Sequence, residues 1–284
     1  MADLPRRWLD ANLQPLANGF RSGVASARWR AQSVRVRSGG EQILARRCAA
    51  RSYRPAAFAD FAARHVTASD GTPHTLFFVP TEDCRLALTF DDGPYPDTTL
   101  LLLKKLEKHD CQATFFLHGC WAERYPHLVQ AIAGAGHELA NHTWEDTPSR
   151  KLPPAYFRES LKRTHEILAP AESGEKSDVR LFRPAGGWPS KKMVCYAKKA
   201  LGYRCVLASV YAFDTRVPSP SWIVEAITGR AHPGAIIVLH EGPGRARVAA
   251  IADEILTRLG DTYEVTTVSR LLSNSTSSSA TQSS

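Results

Sequence analysis

Two carboxylates stand side by side in "LTFDDGP", at Asp91 and Asp92. Like charges confined to one pocket repel, so a pair of this kind works only if each member has a cation: a metal ion on one, an arginine on the other. The segment "NHTWED" supplies the rest of a metal set, because His142 and Asp146 lie four residues apart across a strand end and the turn after it. Aspartate oxygen and histidine nitrogen suit zinc or a similar divalent ion, and the three ligands Asp92, His142 and Asp146 leave a position for water. An ion so held activates water and polarises a carbonyl, which is the equipment of a hydrolase. Asp91 then reads as the general base, kept ionised by Arg183 of "FRPAGG". His240 of "IVLH", tuned by Asp214 of "YAFD", reads as the general acid. Glu145 is a competing ligand that would point differently. His118, which ends a strand, lines the pocket or, as the plainer reading, is structural, and Trp188 either stacks on a ring of the substrate or packs under its loop.

The elements that must position these groups are legible as an alternation of short apolar runs with longer amphipathic ones from Arg85 onward. Seven strands are expected at 85–90, 113–119, 137–142, 180–184, 203–209, 235–240 and 263–268. Helices are expected over "DTTLLLLKKLEKH" with Asp97 as its cap, over "CWAERYPHLVQAIAGAG" as one piece, and at 153–169, 190–201, 219–230 and 246–259. Alternating strands and helices favour a parallel sheet covered by helices, and seven repeats favour a closed or nearly closed barrel. In such barrels the carboxyl ends of the strands form the working face. Asp91, Asp92, His142, Arg183, Asp214 and His240 all fall there, delivered by five different strands.

The chain has 284 residues, 43% of them hydrophobic, enough for one substantial core. Its formal charge of +8 sits at one end. Residues 1–57 hold eleven Arg and no Lys against Asp3, Asp10 and Glu41, and what remains is 25 basic and 25 acidic side chains. A neutral globular part offers no basic face, so a nucleic-acid partner is excluded. The Arg/Ala/Ser-rich leader is composed like an organelle transit peptide or a basic arm, and "MADLPRRWLD" contains no apolar stretch of the kind that opens a secretory signal. No run reaches the length of a membrane span. Six cysteines show no metal-binding spacing and are read mostly as reduced spectators. The division expected is a leader at 1–57, a catalytic domain at 58–272 and a disordered Ser/Thr-rich tail at 273–284.

The motifs "TFDDGP", "NHTWED", "FRPAGG", "YAFD" and "IVLH" resemble, in order and approximate spacing, those of the polysaccharide deacetylases, the NodB homology family of carbohydrate esterases. The resemblance covers roughly residues 85–272. It implies an α/β fold, a distorted (β/α)7 barrel, with a catalytic divalent metal, usually zinc, and an acetylated carbohydrate substrate such as chitooligosaccharide or peptidoglycan. It assigns Asp91 as base, Asp92 and His142 to the metal, Arg183 to the arginine–proline motif and His240 as acid. The chain departs from the family pattern in three places. The usual His-(Ser/Thr)-x-x-His ends here in Asp146; Thr215 stands where many members have tryptophan; and Pro184 is followed by Ala185 rather than a second proline. An Asp–His–Asp set would be harder than the usual one and tolerant of metals other than zinc. Alternatives to a glycan deacetylase acting on N-acetyl or O-acetyl groups are an inactive glycan-binding homologue and a hydrolase of small amides.

Overall fold

The computed structural model describes residues 31–38, 41–48, 75–171 and 180–278. The strands are β1 (Ala31–Ser38), β2 (Glu41–Cys48), β3 (Thr75–Leu76), β4 (Arg85–Gly93), β5 (Thr114–Leu117), β6 (Glu138–Asn141), β7 (Arg180–Phe182), β8 (Tyr203–Val206), β9 (Val210–Tyr211), β10 (Ile236–His240) and β11 (Glu264–Thr266). The helices are α1 (Thr99–Lys108), α2 (Gly119–Arg124), α3 (Pro126–Gly134), α4 (Pro154–Leu168), α5 (Lys191–Leu201), α6 (Pro220–Thr228), α7 (Arg247–Leu259) and α8 (Val268–Ser278). All seven expected strands are present, and four more are added: β1 and β2 within the leader and the short β3 and β9.

Within the leader, β1 and β2 form an antiparallel hairpin. Its remaining residues, where a transit peptide or basic arm was expected, lie outside the described residues, as do 279–284. The tail expected to be disordered from 273 is instead helical to Ser278. The stretch expected as one helix after the second strand is two, because Pro126 cannot donate the backbone bond that would carry α2 onward and opens α3 instead. Asp97 is exposed and is not a cap; Thr98 holds that position. Cys84 is disulfide-bonded, whereas Cys111, Cys120, Cys195 and Cys205 are free thiols.

Nine strands form one sheet in the order β3-β8-β7-β6-β5-β4-β10-β9, with β11 pairing β4. The ladders are parallel throughout. β8 and β9 lie near opposite ends of that order, yet only residues 207–209 separate them in the chain. Four Cα steps reach about 14 Å at most, so the two edges must come close and the sheet must curl. Backbone bonds from Leu207 N to Leu76 O and from Ser209 N to Ile236 O stitch the seam. The result is a distorted barrel rather than a fully hydrogen-bonded one.

The period of two along β4 sorts its side chains between layers. Leu86, Leu88 and Phe90 join the outer core with Leu102 and Leu106 of α1 and Ile251 and Ile255 of α7. Ala87 belongs to the inner cluster with Phe116, Ala140, Leu181, Val206 and Ile236, joined by Val268 and Leu271 of α8. Burying each large aliphatic or aromatic side chain is worth about 1.5–3 kcal/mol, so the outer layer supplies most of the driving force. The inner face carries Thr89 and then Asp91, which places Asp91 inside the barrel mouth.

Candidate active site

Neighbouring strand residues point to opposite faces, so Asp91 and Asp92 would ordinarily part company. A register shift between Asp91 and Gly93 and a left-handed backbone at Asp92, φ 75°, prevent this. Both carboxylates therefore reach one imidazole: His142 Nε2 lies 3.3 Å from Asp92 Oδ1 and 3.8 Å from Asp91 Oδ2.

The bulge rests on a second layer. Glu241, fully buried, accepts hydrogen bonds from the hydroxyls of Thr98 and Thr99 at 2.9 and 2.6 Å, and its own N–H donates to Asp91 O. Burial pushes its carboxyl up to about 7, against the hydrogen bonds of the two threonines. A Cβ on Gly93 would stand 1.7 Å from Glu241 Oε1. Gly93→Ala should therefore cost about 1–3 kcal/mol in thermal or denaturant unfolding through overpacking, and should lower activity along with stability because the displaced residue adjoins Asp92.

Three side chains form a metal-sized cluster: Asp92, His118 and His142, with one donor atom from each lying within 4.8 Å of the others. Asp92 Oδ1 is 3.5 Å from His118 Nε2 and 3.3 Å from His142 Nε2. Ligands held at about 2.0–2.1 Å on a tetrahedral ion are separated by about 3.4 Å, so these spacings fit a zinc-like ion. The two rings stand 4.7 Å apart. That is the spacing of adjacent strands, and it follows from register: Leu117 of β5 pairs with Asn141 of β6, which makes His118 and His142 neighbours one residue further on. His142 Nδ1 is 2.8 Å from Arg183 O, which fixes the proton on Nδ1 and turns the lone pair of Nε2 toward Asp92. His118 is wholly buried, and neither ring nitrogen has a hydrogen-bond partner among the described residues. A buried imidazole with no partner costs stability unless something completes it, and a cation is the group these donors would accept. Burial alone would raise the Asp92 pKa; the two imidazoles of His118 and His142 beside it and the charge of His240 outweigh burial and hold the carboxyl well below its usual range.

Asp146 is not brought to this cluster. Its side chain is exposed on a tight turn closed by Thr147 N to Glu145 O, and Glu145 is engaged by the Tyr156 hydroxyl at 2.9 Å. The structure therefore groups Asp92 and His142 with His118, and leaves Asp146 of the expected Asp92–His142–Asp146 set outside the cluster. Trp188 is half-buried, and Thr215 is exposed on the rim where many relatives carry tryptophan.

The two ion pairs expected from sequence are both formed. Arg183, buried at 3%, bonds Asp91 Oδ1, donates to Thr89 Oγ1 at 2.9 Å, and spans the barrel mouth to Val206 O and Leu207 O, each at 3.1 Å. Its guanidinium also lies 4.0 Å from the Phe116 ring. Asp214 grips His240 twice, through Oδ1 to Nδ1 and through Oδ2 to the backbone N–H, both at 2.8 Å. Burial pulls the His240 pKa down, but the charge and hydrogen bond of Asp214, helped by Asp92 and Asp91, carry it up to about 9. The imidazole is therefore protonated at neutral pH with Nε2 free. A second arginine, which no sequence motif marked, completes the site: Arg245 donates to Asp92 Oδ2 at 2.6 Å.

Residues 79–206 match the family Polysaccharide deacetylase. The chain is 33% identical over 207 residues to a peptidoglycan-N-acetylglucosamine deacetylase of Bacillus cereus, covering 71% of this chain and 94% of that protein. It is 32% identical over 184 residues to a chitooligosaccharide deacetylase of Rhizobium leguminosarum bv. trifolii, covering 63% and 84%. Among solved structures, it resembles a peptidoglycan N-acetylglucosamine deacetylase with a TM-score of 0.65 at 29% identity, over 70% of this chain and 92% of that one. It also resembles a CE4 family pseudoenzyme from Bacillus anthracis, with a TM-score of 0.64 at 25% identity over 71% and 69%. The barrel, the paired aspartates at its mouth and these matches have one conclusion: the chain belongs to the polysaccharide deacetylase family, hydrolases acting on carbon–nitrogen bonds.

Proposed function

We propose that this protein removes N-acetyl groups from an amino-sugar glycan of the chitooligosaccharide or peptidoglycan class on which its relatives act, with a divalent ion held by Asp92, His118 and His142. The observation that carries this reading is the donor geometry of that trio between two ready-made acid–base pairs. When bound, the ion supplies Lewis acidity toward the acetyl carbonyl and toward water. Asp91, held by Arg183, takes the proton from the attacking water. His240, protonated and oriented by Asp214, gives its Nε2 proton to the departing amine, which leaves as the free amino sugar while the acyl carbon leaves as acetate. Arg183 acts through Asp91, whose carboxylate it keeps aimed by a direct bond to Oδ1.

The reading is tested by acetate release from N-acetylated chitooligosaccharides and peptidoglycan fragments. Asp91→Asn should retain the fold and lose about 10²–10⁴ of the rate, the usual worth of a positioned general base. Full activity in that variant would remove Asp91 from the reaction.

The likeness to a pseudoenzyme, together with an aspartate where the family's second metal histidine stands, favours a second reading, a glycan-binding protein without turnover. It requires saturable glycan binding with no acetate released at any ion concentration. His118 weighs against it, since a fully buried imidazole without a hydrogen-bond partner is a feature that a mere binding scaffold has no reason to keep.

A further inference from the structure

Each carboxylate of the Asp91–Asp92 pair has its own arginine, and the two arginines arrive from different directions. Arg183 crosses the barrel from β7 to Asp91. Arg245 comes from the loop between β10 and α7, where positive φ values at Gly242 and Gly244 (128° and 69°) turn the chain back over the mouth. Its Nη1 bonds both Asp92 Oδ2 at 2.6 Å and the backbone oxygen of Glu241 at 3.0 Å. The two oxygens of Asp92 are thereby divided: Oδ1 faces His118 and His142, and Oδ2 faces Arg245.

We propose that Arg245 is a positioning residue for the metal site, holding Asp92 by Oδ2 so that the ion is offered Oδ1 alone. This rests on the metal-dependent reading above. An aspartate on a left-handed backbone inside a bulge stands out of the regular register of its strand, and a carboxylate held through one oxygen alone can rotate or chelate through both oxygens. Two-oxygen chelation would occupy coordination space that a hydrolytic site must leave for water and carbonyl. A hydrogen bond from a charged donor to the second oxygen prevents both, and outer partners of this kind are worth about 10–100-fold in metal affinity where they have been removed. The positive charge of Arg245 opposes a dication, but its side chain is 32% exposed and screened by solvent, whereas the orientation that it imposes is not. Bonding to Glu241 O also ties the metal carboxylate to the residue that follows His240, so the loop, the acid and the ligand move together.

The test is a competition titration of zinc against a chromophoric chelator, using the purified full chain as wild type, Arg245→Met and Arg245→Lys. Arg245→Met should bind zinc about tenfold or more weakly. Arg245→Lys, which keeps a charged donor, should recover most of that loss, and the unfolding temperatures of the three metal-free proteins should agree. Equal or tighter zinc binding by Arg245→Met would overturn the inference while leaving the metal site intact, since Arg245 would then be only a stand-in for the ion. Should Arg245→Met not fold, Arg245→Gln takes its place with the same expectation. Wild type that takes up no zinc would overturn this inference and the metal-dependent reading together.

Discussion

His118→Leu is expected to leave a protein that folds at least as well as the wild type and does not deacetylate. The stability follows from burial. Both ring nitrogens of His118 lack hydrogen-bond partners, and an unsatisfied buried polar group costs about 1–3 kcal/mol, which leucine of similar bulk does not incur. The lost activity follows from geometry, because His118 Nε2 is one of three donors around the proposed ion and the remaining two are a weak site. Lewis-acid stabilisation is worth several kcal/mol, so the rate should fall by about a thousandfold or more. Metal-free unfolding and acetate release, measured on the same preparation, check both halves. A variant that is stabler yet dead is the signature of a residue kept for function against the interest of the fold. Asp146→Ala provides the contrast: an exposed turn residue should change stability by less than about 0.5 kcal/mol and leave acetate release nearly unchanged. If Asp146→Ala abolished turnover and His118→Leu did not, the proposed ligand set would be wrong.

Asp214→Asn should produce the second large effect, and it should appear as a pH shift rather than a uniform loss. His240 must be protonated to act as an acid, and in the wild type its pKa stands at about 9 because Asp214 overcomes the penalty of burial. Activity should therefore hold through neutral pH and decline on the alkaline side. Without the Asp214 charge and hydrogen bond, only the weaker pull of Asp92 and Asp91 opposes burial, and the pKa should fall toward the usual histidine value near 6.5. At pH 8 only about 3% of His240 would then remain protonated, so the rate there should drop by about 30-fold while the rate at pH 6 suffers far less. A bound dication lowers the titration of both proteins, but the displacement between them keeps its sign. The stability linkage runs the same way. A histidine whose folded pKa is raised contributes stability that is fully present below about pH 6.5 and is lost as pH rises through about 9, and Asp214→Asn should flatten that dependence. Parallel alkaline limbs in the two proteins would show that Asp214 does not tune His240.

The strand alternation, the acid–base pairs and the seven-repeat barrel were legible because each rests on local pattern: Asp91, Arg183, Asp214 and His240 all stand at or just beyond the carboxyl ends of their strands. The metal set was not fully legible, for a physical reason. Reading outward from His142 finds partners along the chain, which led to Asp146, but a parallel sheet offers its neighbours sideways. The residue beside His142 is His118, placed there by the Leu117–Asn141 pairing, 24 positions away in sequence. A histidine at the carboxyl end of the adjacent strand was the available signal, and it required the strand order to be used. Arg245 left still less trace, because it lies in an irregular loop whose path depends on two glycines in left-handed conformations. The split of one expected helix at Pro126 shows the reverse case, a local rule that was present in the sequence and was outvoted by apolar periodicity.

The central claim is that hydrolysis requires a divalent ion held by Asp92, His118 and His142. The most direct test is acetate release from an N-acetylated chitooligosaccharide by one preparation before chelation, after chelation and after restoring zinc, with bound metal counted at each stage. The expected result is activity that vanishes with the ion, returns with it, and saturates at one ion per chain. Undiminished acetate release from fully metal-free protein would contradict the claim.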